Sequence, residues 1–122
     1  MPRVLIVDDS PTETYKFKET LEKHGFEIIS ADNGADGVAV ARQEQPDVVL
    51  MDVVMPGLNG FQATRQLSKG EDTKHIPVII VTTKDQETDK VWGRRQGATD
   101  YLTKPVDEAV LIDTINRAMS GS

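Results

Sequence analysis

A doubly wound α/β fold built on a five-stranded parallel sheet is what this sequence predicts. Three observations carry that reading. Short β-rich runs at 4–7, 26–30, 48–51, 78–81 and 99–102 alternate with helical segments of ten to fifteen residues, the pattern of βαβ crossovers. The first, third and fourth runs are near-continuous Val, Ile and Leu, as strands covered on both faces require. No linker, repeat or low-complexity stretch interrupts the alternation across 122 residues, a length that suits one domain. The domain is expected to span 1–120, with Gly121 and Ser122 as a tail.

The helices follow from their ends. Ser10, Pro11 and Glu13 form an S-x-x-E signal with proline at the first helical position, which predicts a capping box. Phe17 and Leu21 then share a face, and Gly25 sits where a helix stop belongs. The second helix starts near Asn33, turns Val38 and Ala41 inward and must end before Pro46. A third is predicted over 59–68 and a fourth over 86–96, ahead of Gly97. Asp107 caps the fifth, which runs to Met119 with Leu111, Ile115 and Ala118 as its buried stripe.

Composition narrows the function. The net charge is −6 and the basic residues are scattered among acids, so the basic stripe of a nucleic-acid binder is missing. Apolar runs such as Val78-Ile79-Ile80-Val81 are too short to cross a bilayer. With no cysteine, disulfides, thiol chemistry and cysteine-ligated zinc are excluded. The first strand begins almost at Met1, leaving no room for a signal peptide. A cytoplasmic location, protein partners and ions, and a stand-alone chain are the expectations.

Ligands of parallel sheets bind outside the carboxyl ends of the strands. There the sequence puts Asp8-Asp9 after the first strand, Asp52 after the third, Thr82-Thr83 at the fourth and Lys104-Pro105 beyond the fifth. Carboxylates brought together raise one another's pKa values. A hard divalent cation resolves the conflict, and Mg²⁺ suits a site of few carboxylates that must exchange water for phosphate oxygens. One carboxylate then remains as a nucleophile toward phosphorus, with Lys104 and the Thr82 hydroxyl placed to neutralise the transferring group.

The stretches VLIVDDSP at 4–11, VVLMDVVMPGLNG at 48–60, VIIVTTK at 78–84 and GATDYLTKPV at 97–106 together resemble the receiver domains of two-component response regulators, over essentially the whole chain. The finer wording of NGFQATRQL and of the run from Val81 to Val106 is similar to the PilH-type regulators of type IV pilus twitching motility. The resemblance implies Asp52 as phosphoacceptor, and Mg²⁺ held by Asp8, Asp9, Asp52 and the backbone carbonyl of Val54. It implies Lys104 as the phosphoryl partner with a cis bond to Pro105. Thr82 would be the switch hydroxyl and Tyr101 the aromatic that turns inward behind it. A histidine kinase of the chemotaxis-kinase kind would be the donor. The face of the fourth helix, fifth strand and fifth helix would be the output surface. Val54 and Lys84 depart from the carboxylates and amides that orient an attacking water, which implies a long-lived aspartyl phosphate; Lys84 could itself reach the phosphoryl group.

Other residues read as structure. His24 and His75 lack a partner ligand at helical spacing, Met51 and Met55 read as packing, and Asn33-Gly34 and Asp36-Gly37 make no phosphate loop. Trp92 on the fourth helix is expected to be partly buried against the sheet, with a partner-binding anchor as the alternative. Two other function classes fit the sequence far less well. A phosphohydrolase with an aspartyl nucleophile would want a second acid at Val54 and a cap domain. A flavodoxin-like electron carrier would want a Ser/Thr-rich phosphate loop after the first strand.

Overall fold

A computed structural model of the chain describes residues 1–121. Its elements are β1 (Arg3–Val7), α1 (Pro11–Lys23), β2 (Glu27–Ala31), α2 (Gly34–Glu44), β3 (Val48–Met51), α3 (Gly60–Lys69), β4 (Val78–Thr82), α4 (Glu87–Arg95), β5 (Asp100–Thr103) and α5 (Glu108–Met119). The five strands form one parallel sheet in the order β2-β1-β3-β4-β5. This is the predicted fold. The strand order reverses between β1 and β3, and that switch point is where a ligand crevice opens.

Because successive side chains on a strand point to opposite faces, each inner strand feeds two cores. Val4, Ile6, Val48, Leu50, Ile79 and Val81 meet Leu21 of α1 and Leu111 and Ile115 of α5 on one face. Leu5, Val7, Val49, Met51 and Val78 meet Val38 and Ala41 of α2 and Ala63 and Leu67 of α3 on the other. A smaller cluster of Val53, Ile80 and Tyr101 lies on that second face toward α4. Met51 and Met55 both belong to the second core, as their packing role requires. Of the fifth helix's expected stripe, Leu111 and Ile115 are fully buried and Ala118 only half.

Differences from expectation sit at element ends. β2 begins at Glu27 rather than Phe26 and alternates poorly, since it is an edge strand covered less than the inner ones. Phe26 is nonetheless buried, in the turn after Gly25, whose φ of +85° supports the predicted helix stop. The box at α1 is only half formed. Ser10 Oγ accepts from the Glu13 amide at 3.2 Å, but the Ser10 amide donates to Asp8 Oδ1 at 2.9 Å instead of to Glu13. The complete capping box is at α3. There Asn59 Oδ1 accepts from the Gln62 amide and Gln62 Oε1 from the Asn59 amide, both at 2.9 Å.

Trp92 is half buried, 50 % exposed, but beside the α3 residues Phe61, Gln62 and Arg65 rather than against the sheet. The helix meets the sheet through its neighbour Gly93, which lies against Ile80 and the ring of Tyr101. With about 100° between successive residues, that phase turns the indole sideways toward α3.

Candidate functional site

The crevice at the carboxyl end of the sheet is built by the ends of its inner strands. The Asp52 amide donates to the Val7 carbonyl at 2.9 Å, and the Asp8 amide to the Ala31 carbonyl at 3.1 Å, so the ladders hold the two acids one residue beyond their strands. Asp8 and Asp52 are buried, while Asp9 points outward. One carboxylate oxygen from each of Asp8, Asp9 and Asp52 lies within 4.8 Å of the others. Such a triad of hard oxygen donors fits an octahedral cation such as Mg²⁺, which takes a few carboxylates and keeps its remaining positions for water or phosphate.

Lys104 closes the other side. Its Nζ donates to Asp8 Oδ2 at 2.8 Å, lies 3.5 Å from Glu13 Oε1 and 4.0 Å from Asp52 Oδ1. The Lys104–Pro105 peptide is cis. The Lys104 amide donates to the Thr82 carbonyl at 2.8 Å, so β4 and β5 remain joined at the point where the cation leaves the sheet. Thr82 is fully buried, its hydroxyl facing Asp52, whereas Thr83 is exposed.

The electrostatics show strain around one carboxyl. Burial pushes Asp52 above the usual carboxylate range; Lys104 opposes the shift, the neighbouring Asp8 adds to it, and bonds from the Val53 amide and Thr82 lower it again. For Lys104, burial works to lower the ammonium's pKa. The hydrogen bond to Asp8 and the charges of Asp52, Asp8 and Glu13 outweigh it, and the net shift is upward. The cation is therefore secure, and Asp52 is the carboxyl whose charge is not fully offset.

Around the site stand the other predicted residues. Tyr101 lies inward, 7 % exposed, with its hydroxyl donating to the Lys84 carbonyl at 2.8 Å. Burial, with the charges of Asp89, Asp85 and Asp52, pushes its phenol up to about 12. The inward packing thus rests on the chain's own contacts with Ile80 and Gly93 and that hydrogen bond. Val54 is 56 % exposed beside buried Val53. Lys84 is exposed and its ammonium pairs with no acid among the described residues; its amide reaches Thr82 Oγ1 only at 3.4 Å.

Two features escaped the sequence reading. Glu13 was legible as a cap, yet its carboxylate faces Lys104 and Lys16; its place in the first turn after an acidic strand end was the available signal. Gly60 opens α3 so tightly against Asp52 that a Cβ there would collide with the Asp52 carbonyl oxygen. His24, read as a surface residue, caps α1 and places Nε2 2.9 Å from Glu108 Oε2. That bond, then Lys23, holds the Glu108 carboxyl below its usual range.

The model of the response regulator receiver domain matches residues 4–116. The chain belongs to the receiver domain family. It is 73 % identical to the protein PilH of Pseudomonas aeruginosa over 99 % of this chain and 100 % of that one. Among solved structures, the chemotaxis protein CheY4 of Vibrio cholerae superposes with a TM-score of 0.90 at 32 % identity, covering 97 % of this receiver and 98 % of that chain. The receiver domain of a sensor histidine kinase from Pseudomonas aeruginosa PAO1 superposes with the same TM-score at 28 % identity, covering 98 % of each. That structure has a magnesium ion coordinated in its active-site cleft. Among the described residues of this receiver, no helix is long and apolar enough to cross a membrane.

Proposed function

We propose that this receiver accepts a phosphoryl group on Asp52 and transmits it as a change of packing. The observation that carries the reading is the meeting of Asp8, Asp9 and Asp52 within 4.8 Å with Lys104 at their edge. The acidic triad, with the Val54 carbonyl, would hold Mg²⁺, which supplies charge neutralisation at the phosphoryl oxygens. An Asp52 oxygen bonds to phosphorus as the phosphorus–nitrogen bond of a kinase phosphohistidine breaks, and the imidazole leaves with that bond's electron pair. Lys104 and Thr82 take the oxygens of the arriving group. The chain catalyses its own phosphorylation and dephosphorylation and turns over no separate substrate.

The added group brings roughly two negative charges and three acceptors. Lys104 and Thr82 are drawn toward it, and Tyr101 secures the space behind Thr82. The equilibrium between two packings of the α4–β5–α5 face then shifts. The donor is a histidine kinase of the chemotaxis kind, and the output is binding of a protein at that face, without nucleic acid or membrane insertion. The likeness to PilH supports a place in type IV pilus twitching motility, with the single domain at 1–120 acting in the cytoplasm.

Acetyl phosphate with Mg²⁺ tests the chemistry. Intact mass should rise by one phosphoryl unit, only with Mg²⁺, and not in Asp52→Asn. Labelling that survives Asp52→Asn would move the acceptor elsewhere and end this assignment.

A further inference from the structure

The site above leaves a groove on the second face of the sheet unexplained. Helices α3 and α4 touch at their carboxyl ends, where Ser68 Oγ donates to the Gln96 carbonyl at 2.7 Å and Gly97, at φ +108°, lies against Ser68. From that junction a groove of about 390 Å³ opens between them, lined by Asn59, Phe61, Gln62, Arg65, Trp92 and Gln96.

Three of these residues carry unspent recognition chemistry. Gln96 is only 6 % exposed, yet its side-chain amide has no hydrogen-bond partner among the described residues. Among the described residues the Thr64 hydroxyl is the one side-chain group both buried and unpartnered, so the Gln96 amide keeps contact with solvent in the groove and can exchange water for a ligand's peptide group. Trp92 is half exposed, and its indole N–H is likewise unpartnered among the described residues. Arg65 stands mid-helix on α3, a helix without an acidic residue, and makes no ion pair with any described residue.

The charge around the groove is of one sign at one end. Lys69, one turn beyond Arg65, and Arg95, one turn beyond Trp92, are also without an acid among the described residues. Both occupy last helical turns, where the macrodipole favours a cation, but no side-chain anion neutralises them. The contrast with the larger groove between α1 and α5 is direct. There Lys16 and Lys104 pair with Glu13, and Lys23 with Glu108. Cations left uncompensated beside an exposed tryptophan, in a chain of net charge −6, call for anionic complement from outside. Arg and Trp are also the side chains that most often anchor interfaces.

We infer that the α3/α4 groove docks an acidic segment of a partner protein, with a carboxylate on Arg65, a peptide group on the Gln96 amide and an adjacent apolar side chain between Phe61 and Trp92. A free small molecule fits less well, because walls half open to water cannot enclose most of its surface. The groove is separate from the α4–β5–α5 face, and its docking role does not rest on phosphorylation of Asp52.

A phage-displayed library of random dodecapeptides, panned on the wild-type chain and counter-selected on Arg65→Glu, tests the inference. Enriched peptides should carry Asp or Glu beside an aliphatic or aromatic residue. Their synthetic forms should shift the emission of Trp92, the single tryptophan, to the blue. Arg65→Glu and Gln96→Ala should each weaken binding about tenfold or more, with far-ultraviolet circular dichroism unchanged. Selection of basic peptides, equal binding to Arg65→Glu, or no clone that distinguishes the two proteins would overturn the proposal. So would wild-type self-association in sedimentation that Arg65→Glu abolishes, since the occupant would then be a second copy.

Discussion

Gly93 is the floor on which the ring of Tyr101 lies: a Cβ at Gly93 would come 3.0 Å from ring Cδ2 and 2.9 Å from Ile80 Cδ1. Contacts that close leave little slack, so adding a methyl group must move the helix, the ring or the Ile80 side chain.

Gly93→Ala is therefore expected to cost about 1–3 kcal/mol of stability, the usual range for overpacking, and to loosen Tyr101. Alkaline titration at the phenolate absorbance checks it. The component that Tyr101→Phe removes should titrate near 12 in the wild type and fall toward the ordinary phenol value of about 10 in Gly93→Ala. An unmoved titration would mean that the ring keeps its place despite the methyl group.

Asp52 carries a cost of its own. Its pKa is raised by burial, so the folded chain holds the proton more tightly than the unfolded chain. The charged carboxylate then weakens the fold above the folded pKa, and the penalty fades as pH falls through the aspartate range. Asp52→Asn without Mg²⁺ should accordingly unfold at a higher temperature at neutral pH, each kcal/mol being worth roughly 4 °C in a domain of this size. The gap should shrink in acid and narrow again when Mg²⁺ is added to the wild type. Thermal melts across pH, with and without the ion, decide the matter.

Thr64 is fully buried on α3, and its hydroxyl has no partner among the described residues. Thr64→Val keeps the shape and removes the unsatisfied group, which should stabilise the domain by about 1 kcal/mol in urea unfolding. A loss of stability would reveal a bound water or a bent helix that uses the hydroxyl.

The exposed positions Val54 and Lys84 offer no carboxylate or amide to orient water at an aspartyl phosphate. Val54→Asn combined with Lys84→Glu should shorten the phosphoryl lifetime, read by the decay of the phosphorylated mass after the donor is removed. Unchanged decay in the double variant would refute the tuning role.

Legibility in the sequence followed the kind of force involved. Runs such as Val78–Val81 announce an inner strand because covering both faces demands continuous apolar side chains, and the residues at such ends could then be read as one crevice. Asp8, Asp9, Asp52 and Lys104 were found in this way. The orientation of Trp92 was not, since helical phase depends on which small residue the sheet selects, here Gly93. Glu13 was hidden because one residue type serves both a helix cap and an ion pair. The capping box at Asn59 and Gln62 went unread because amides announce caps less plainly than Ser and Glu do.

The hydrogen bond from the Lys104 amide to the Thr82 carbonyl ties cation and hydroxyl to one frame. Neither main chain can advance on an anion at Asp52 alone; a pull on one is delivered to the other. Asp8 and Asp52 hang from different pairings, Asp8 from β1 with β2 and Asp52 from β1 with β3. β3 and β4 are themselves paired from Val49 with Val78 to Met51 with Ile80, so the carboxylates and the cation–hydroxyl frame are moored side by side in one sheet.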